Sequence, residues 1–439
     1  MKRPLIDSIK KIDRRVLYWI VVFLLFYTIL HFFYSGVYMP MFKLTGEGKI
    51  GQVLVEIRPL EKFLKEREPI TLKDNPRQYG AFFLMVFYPI LLLTQNPAVI
   101  EKILLFLAYL SLGLALYFTY RILDGKKKYA VLLLLFVLWM NFSSLYYIMA
   151  VKNVELWELA LLCFALFSLL QKRSFLAGFS IAAATLIKLL PAIFFFYFLI
   201  KNRKALAYGL LSLLGILLVS HILFGPQVGL SYLPLVLAGG LKGDSWAVSH
   251  FENNGMKGMV YKLASGFQQD PAYPWVFLLQ EEAKQMAFFL ALAGQLAVLL
   301  LLGFLLWKHR HVQQKEIIWK EFGLVSATML LLSPVSAMEY STLLLLAFSI
   351  GLYFIFFEKT DVWQIILFVG SYLLIGHFVP FSIALQFFPS SFISNGLGLT
   401  VLEPSEIYKA IGMPFLGFLL LFLFFFRLLW KRKVKTMSD

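Results

Sequence analysis

The chain is poor in residues on which many soluble and secreted folds depend. It has a single cysteine, Cys163, and only 15% of its 439 residues are charged. A lone cysteine builds neither a disulfide framework nor a cysteine-based metal site. The sequence has no Walker A motif, no Rossmann glycine pattern and no His, Cys or acidic cluster with metal-ligand spacing. We therefore expect no cofactor, no metal and no nucleotide-driven transport.

Apolar residues dominate the composition. They make up 60% of the chain, and the mean hydropathy is +0.76. Soluble domains contain roughly 45–50% apolar residues, and many runs here exceed the ~18 residues that span a bilayer. We predict an all-α polytopic membrane protein, a single integral membrane domain over 1–439. It would contain about 10–13 transmembrane or re-entrant helices and outer-face loops.

Positive charge is concentrated in short clusters between the apolar runs. The net charge of +16 does not indicate a nucleic-acid partner, because this spacing is the positive-inside pattern of membrane proteins. We expect all the clusters, and both termini, to be cytoplasmic in a bacterial plasma membrane. The clusters lie at 2–15, 121–128, 172–173, 201–204, 308–320 and 431–435.

The same charges predict the order of segments along the chain. A short apolar run at 79–94 contains Pro89. If 37–78 lies outside and the basic cluster at 121–128 lies inside, this run and the run at 102–123 cannot both span the membrane. We therefore predict that 79–94 dips into the outer leaflet and returns. One helix is predicted over 129–150. The predicted parts are a first transmembrane helix at 16–36, a first outer loop at 37–101, helices at 102–224, a long outer loop at 225–285 and C-terminal helices at 286–430.

The stretch 174–200 is the most informative apolar run. Lys188 and Pro191 interrupt it in the middle, and a basic cluster ends it. A lysine deep in hydrocarbon normally faces an anionic partner or water, and the proline removes a helix hydrogen bond. We predict two half-helices that meet near Lys188 and form a re-entrant hairpin. The alternative is a kinked spanning helix in which Lys188 snorkels to the interface.

The first outer loop combines apolar and acidic residues. Val53, Ile57 and Leu60 recur at helical spacing, which indicates an amphipathic helix lying on the membrane. Gln52, Glu56, Glu61 and Asp74 lie in this loop and can face a cavity. A solvated charged face is the alternative interpretation for the acidic residues here.

Asn153 and Glu155 stand at the outer end of the helix that precedes the broken stretch. Glu155 can line the same cavity as Lys188. An acidic residue at a helix start also stabilises the helix dipole without any other role, so both interpretations stay open.

Two further turns carry polar residues on the outer face. Asn253 and Asn254 occur in the sequence HFENNGMKGMVYKL, and asparagine amides suit sugar hydroxyls as well as plain turns and caps. Ser336, Glu339 and Tyr340 follow Pro334 in a turn between two apolar helices. There Glu339 is either a site residue or an interfacial anchor.

In this order, the segments resemble the membrane glycosyltransferases of the GT-C superfamily, most closely glycosyltransferase family 87. The resemblance extends over residues 50–345, and its most specific part is the broken-helix signature. The matching segments are Tyr79-Gly80-Ala81, Asn153-Val154-Glu155, Ile187-Lys188-Leu189-Leu190-Pro191, Asn253-Asn254-Gly255 with Gly258, and Ser333-Pro334-Val335-Ser336.

The resemblance implies a GT-C-like bundle, a function and a set of residue roles. The family transfers sugars, often mannose, from polyprenyl phosphate, so we expect a hexosyltransferase acting on a lipid-linked or glycan acceptor at the outer face, among membrane lipids. Lys188 would bind the donor phosphate. The essential aspartate of such enzymes is replaced by Gln52, and Glu56, four residues on, becomes the candidate base. Substrate binding is expected from Gln52, Asn153, Glu155, Asn253, Asn254, Ser336, Glu339 and Tyr340.

Two other functions remain compatible with the sequence. A flippase or transporter of lipid-linked glycans also needs an intramembrane lysine, but its polar groups should line a path through both leaflets. Here the polar interruptions lie mostly on one side. A non-catalytic relative that binds a lipid-linked glycan is the other alternative, and the glutamine at position 52 favours it.

Overall fold

A computed structural model describes residues 22, 25–35, 37, 60, 62–66, 68–71, 80–123, 128–151, 153–235, 250, 252–268, 276–358, 360–376 and 408–430. Helices account for most of these residues, which confirms the predicted all-α class. They are α1 Leu25–Ser35, α2 Ala81–Leu93, α3 Pro97–Leu123, α4 Lys128–Met140, α5 Ser143–Val151, α6 Glu155–Leu170, α7 Ser174–Thr185, α8 Ile193–Lys201, α9 Arg203–Phe224, α10 Met256–Ala264, α11 Glu281–Lys308, α12 Lys315–Leu332, α13 Leu345–Phe357, α14 Val362–Ile375 and α15 Met413–Trp430, with 3-10 helices at Leu190–Ala192 and Met338–Leu344.

Helix length and apolar composition support membrane spanning. Among the described residues, five helical segments are long and apolar enough to cross a bilayer: α3, α9, α11, α15 and Glu339–Phe357. Side chains of α9 and α11 are largely exposed, as expected of helices that face lipid. Most residues of α12 and the first half of α13 are buried, and these helices form the centre of the bundle together with α6 and α15.

The single helix predicted over 129–150 is wrong. The segment forms α4 and α5, and the two are bent by 63° relative to each other. Polar side chains at the bend bind backbone carbonyl groups, one within α4 and one in a distant segment. The Asn141 amide donates to the Val137 carbonyl oxygen (2.8 Å), and the Ser143 hydroxyl donates to the Gly376 carbonyl oxygen (2.6 Å). A polar pair inside an apolar run therefore breaks the helix.

Basic residues gather at one end of the bundle, which we call the basic end. The Arg121 guanidinium lies 5.9 Å from the ring of Phe167. Lys201 Nζ donates to the carbonyl oxygen of His309 at 2.6 Å, and Lys308 Nζ lies 4.8 Å from the Trp430 ring centre. Clusters that are far apart in sequence thus share one face, as the positive-inside pattern requires.

The segment before α3 dips into the bundle and returns. At the end opposite the basic end, the backbone N–H of Ile70 donates to the carbonyl oxygen of Phe224 (2.9 Å). Ten residues later the N–H of Gly80 donates to the Ile187 carbonyl oxygen inside the bundle (3.0 Å). Tyr88, on α2, again packs against the ring of Phe224 at 5.3 Å. That the segment 79–94 dips into the outer leaflet stays a prediction.

Candidate active site at a broken helix

The broken stretch forms a hairpin of two short helices. α7 ends at Thr185, α8 begins at Ile193, and a 3-10 turn that contains Pro191 joins them. The two arms meet at the basic end, where the Asn202 amide donates to the Ser174 hydroxyl at 3.3 Å. A 12-residue helix such as α7 is about 18 Å long, well short of the ~30 Å hydrocarbon core. The two arms therefore form a hairpin that starts and ends at the basic end.

Backbone groups released at the break are satisfied by the start of α2. The N–H groups of Gly80 and Phe82 donate to the carbonyl oxygens of Ile187 and Leu186, each at 3.0 Å. Irregular backbone at membrane depth requires such partners. Position 80 must be glycine, because a Cβ there would lie 2.2 Å from the Leu186 carbonyl oxygen. This close approach explains the glycine in the Tyr79-Gly80-Ala81 segment.

Lys188 points into the bundle and pairs with Glu155, so the snorkelling alternative is not what the structure contains. Lys188 Nζ donates to Glu155 Oε1 and lies 4.5 Å from the centre of the Tyr340 ring, a cation–π distance. The Lys188 side chain retains 11% exposure, while Glu155 is fully buried. Glu155 is also the first residue of α6, so it faces the favourable end of the helix dipole and a lysine at once.

The structure adds residues that the sequence interpretation overlooked. Glu158 lies one turn after Glu155 on α6 and is fully buried. The charge of Lys188 interacts with three nearby groups: Glu158, Glu339 and Tyr232. The i, i+3 spacing of the two glutamates was the available signal, since it places both on one helix face. Across the described residues, no group of His, Cys, Asp or Glu side chains is arranged to hold a metal ion.

Asn253 joins two turns beside this cluster. Its Oδ1 accepts from the N–H groups of Ser336 (2.9 Å) and Gly255 (3.1 Å), and its Nδ2 donates to the Pro334 carbonyl oxygen (3.0 Å). These bonds hold the loop that precedes α10 against the turn that precedes Glu339. Asn253 therefore fixes the geometry of the turn that carries Glu339 and Tyr340.

A second set of contacts extends from the same turn to the segment before α15. The N–H of Asn254 donates to the Ser336 carbonyl oxygen at 2.7 Å, and its Oδ1 accepts from Lys262 Nζ at 3.4 Å. Lys262 also donates to the Lys409 carbonyl oxygen (2.8 Å), and Lys409 Nζ donates to Glu252 Oε1 (2.6 Å). Burial lowers the pKa of Lys262 to about 7.

Asn153 shapes the start of α6. It is buried, its N–H donates to the Ile148 carbonyl oxygen (3.1 Å), and its Oδ1 accepts from the N–H of Val154 (2.9 Å). These bonds turn the chain from α5 into α6 directly before Glu155. Asn153 thus positions the carboxylate that pairs with Lys188.

Gln52 and Glu56 lie outside the described residues, as does most of the predicted amphipathic helix. Its end is described: residues 62–66 are helical, and Leu60 is fully buried. Phe63 packs on the ring of Phe224 at 5.5 Å. This part of the first outer loop therefore lies at the end of the bundle opposite the basic end.

The predicted site residues thus fall into three groups. Lys188, Glu155, Glu339 and Tyr340 form one cluster at the break. Asn253, Asn254 and Ser336 build the adjoining turn, and Asn153 supports Glu155 from behind. Gln52 and Glu56 form the third group, outside the described part of the chain.

A comparison with protein families agrees with this geometry. The profile of glycosyltransferase family 87 matches residues 78–334, which is more than half of the 439-residue chain. The match includes Lys188, Glu155, Glu158 and Asn253. It begins after Gln52 and Glu56 and ends just before Ser336. No curated protein and no solved structure matches the chain.

Proposed function

Because the chain belongs to glycosyltransferase family 87, we propose that it transfers a hexose, mannose first among the candidates, from a polyprenyl-phosphate sugar to a lipid-linked or glycan acceptor. The reaction takes place at the membrane face opposite the basic end. The basic end and both chain termini are cytoplasmic, and the membrane is a bacterial plasma membrane. The isoprenoid tail of the donor lies in lipid between the helices.

One observation supports this proposal above all others: the buried pair of Lys188 and Glu155 at the break of a re-entrant hairpin. A buried lysine is expensive to keep in a membrane and marks a function with an anionic partner. Lys188 keeps 11% of its side chain exposed, whereas Glu155 is fully buried. A donor phosphate can therefore approach the ammonium group from the exposed side.

The transfer is an inverting substitution. A hydroxyl oxygen of the acceptor attacks the anomeric carbon and forms the new glycosidic bond, while the bond from that carbon to the phosphate oxygen breaks. Polyprenyl phosphate leaves with the bonding electron pair, and Lys188 stabilises its added negative charge. Glu56 takes the proton of the attacking hydroxyl as the general base.

The other residues bind or position substrate. Gln52, Glu155, Glu339 and Tyr340 orient the sugar and the acceptor. Asn253, Asn254 and Ser336 act mainly by holding the turn before Glu339, since their polar groups bond across the two turns. Asn153 acts through Glu155.

The test is sugar transfer by the purified protein in lipid discs, with labelled polyprenyl-phosphate mannose, glucose or arabinose and a crude lipid-glycan acceptor fraction. Wild-type protein is compared with Lys188→Met, Glu56→Gln and Lys201→Met. Lys201 is the matched control, because it forms a buried pair with Glu321 (2.8 Å) at the basic end. We expect turnover of one donor, lost in the first two variants and retained in folded Lys201→Met.

Other outcomes separate the remaining functions. Turnover that persists in Glu56→Gln rejects that base and moves the role to Glu155 or to Asp74, which is outside the described residues. Transport of a lipid-linked glycan across the disc bilayer without transfer indicates a flippase. Donor binding without turnover, with several acceptors, indicates a non-catalytic relative.

A further inference from the structure

We propose that Glu158, together with the second oxygen of Glu155, binds ring hydroxyls of the donor sugar. This inference rests on the proposed function and deepens it: the group transferred is a neutral polyhydroxylated sugar that is recognised through carboxylates. Glu158 then contacts the substrate directly. Lys188 binds the phosphate of the donor, and Glu158 binds its sugar.

The buried carboxylate oxygens of Glu158 and Glu155 are short of hydrogen-bond donors. Within the described part of the chain, neither oxygen of Glu158 has a hydrogen-bond partner, and neither does Glu155 Oε2. The N–H of Lys188 lies near Glu158 but donates to the Ala184 carbonyl oxygen at 3.2 Å. Buried polar atoms without partners are uncommon and call for an explanation such as a bound molecule.

Neighbouring hydroxyls share this property. The side-chain oxygens of Thr185, Ser336 and Thr342 are buried and have no hydrogen-bond partner within the described ranges. Thr185 is the last residue of α7, directly before the break. Ser336 belongs to the turn joined by Asn253, and Thr342 lies in the 3-10 helix that packs on α6. Of the eleven such side-chain atoms in the described ranges, six thus belong to the two glutamates and these three hydroxyl residues, on the elements that surround Lys188.

Glu155 and Glu158 also lie in a suitable position relative to a donor phosphate bound at Lys188. Glu155 contacts Lys188 directly, and Glu158 is one helical turn further along the same face. In a glycosyl phosphate, the ring hydroxyls lie within one sugar ring of the phosphorus atom. A donor phosphate on Lys188 therefore brings its own sugar hydroxyls toward the two glutamates, whereas the acceptor lies beyond the anomeric carbon.

The chemistry of a carboxylate also suits a sugar. A carboxylate only accepts hydrogen bonds, and a sugar presents several O–H donors. A metal ion is the other usual partner of buried carboxylates, but no side-chain group in the described segments is arranged to hold one. The Tyr340 ring, 4.5 Å from Lys188 Nζ, places an aromatic surface beside the same ammonium group.

The experiment measures the affinity of two lipids in discs: polyprenyl-phosphate mannose, and polyprenyl phosphate of the same chain length without sugar. The variants are Glu158→Gln, Lys188→Met and the control Glu321→Gln. Glu321 is a fully buried glutamate paired with Lys201 at the basic end. Thermal unfolding of each variant checks folding, and Glu158→Asp is a second variant that retains the charge.

We expect Glu158→Gln to raise the dissociation constant for the sugar-bearing lipid by roughly tenfold or more, and to leave binding of the sugar-free lipid unchanged. Lys188→Met should weaken both lipids, and Glu321→Gln neither. Equal weakening of both lipids by Glu158→Gln overturns the proposal, because Glu158 then acts only through Lys188. No change for either lipid also overturns it. Wild-type protein that binds neither lipid refutes the proposed function itself.

Discussion

Removing one member of the Lys188–Glu155 pair should destabilise the protein more than removing both. Lys188→Met leaves a fully buried carboxylate without its cation, beside a second buried carboxylate, Glu158. Breaking a buried ion pair from one side costs about 3–5 kcal/mol. Protonation limits the loss, because protonating an ordinary glutamate at pH 7 takes about 3.7 kcal/mol and removes the charge. We therefore expect a loss of about 3–4 kcal/mol at pH 7.

The same reasoning predicts a rescue and a pH dependence. Lys188→Met combined with Glu155→Gln removes both charges and keeps the side-chain volumes, so most of the stability should return while sugar transfer does not. At pH 5 protonation of an ordinary glutamate takes only about 1 kcal/mol. The deficit of the Lys188→Met single variant should therefore shrink on acidification.

The assay is thermal unfolding of the purified variants in one detergent at pH 5 and pH 7, with transfer measured in parallel. Lys201→Met with Glu321→Gln is the matched pair at the basic end. Its double variant should regain stability, and sugar transfer should persist in the folded single and double variants alike. A Lys188→Met variant as stable as wild type at both pH values would refute the buried ion pair. A double variant at the break that transfers sugar normally would refute its catalytic role.

Three further predictions follow from single contacts. Gly80→Ala should lower the unfolding temperature and abolish transfer, because its Cβ would lie 2.2 Å from the Leu186 carbonyl oxygen, whereas Gly113→Ala, with no atom within 4 Å, should do neither. Asn253→Ala removes three hydrogen bonds, two of them between the two turns, and leaves the Ser336 N–H unpaired, so thermal unfolding should show a loss of about 1–3 kcal/mol. Lys262 has a pKa lowered to about 7 by burial, so the unfolded chain binds the extra proton above that pH. Wild-type stability should rise between pH 7 and pH 10, by up to about 1.4 kcal/mol per pH unit, relative to Lys262→Met; parallel pH profiles would contradict this.

Features with a strong local signal were predictable from the sequence. Apolar runs that are long enough to span a bilayer predict the helical membrane class. Lys188 and Pro191 together predict the break, since each is unfavourable in a lipid-facing helix. The resemblance of the motifs to glycosyltransferase family 87 agrees with the profile match.

Features that depend on distant partners were not predictable. Asn253 bonds to a backbone group 83 residues away, so its role in joining two turns has no local signature. The bend at Asn141 depends in part on Ser143 reaching the carbonyl oxygen of Gly376, the residue that follows α14. The i, i+3 spacing places Glu158 on the helix face of Glu155, but only the fold brings that face beside Lys188. The local sequence pattern predicts helices and their breaks. Which polar side chains meet depends on contacts between distant segments.

The most direct test of the central claim is an experimental structure of the protein in lipid discs with bound polyprenyl-phosphate mannose. The account predicts a phosphate oxygen about 2.7–2.9 Å from Lys188 Nζ, with the sugar directed toward Glu155 and Glu158. The contrary result is a donor phosphate bound elsewhere, without contact to Lys188 and with the Lys188–Glu155 pair intact.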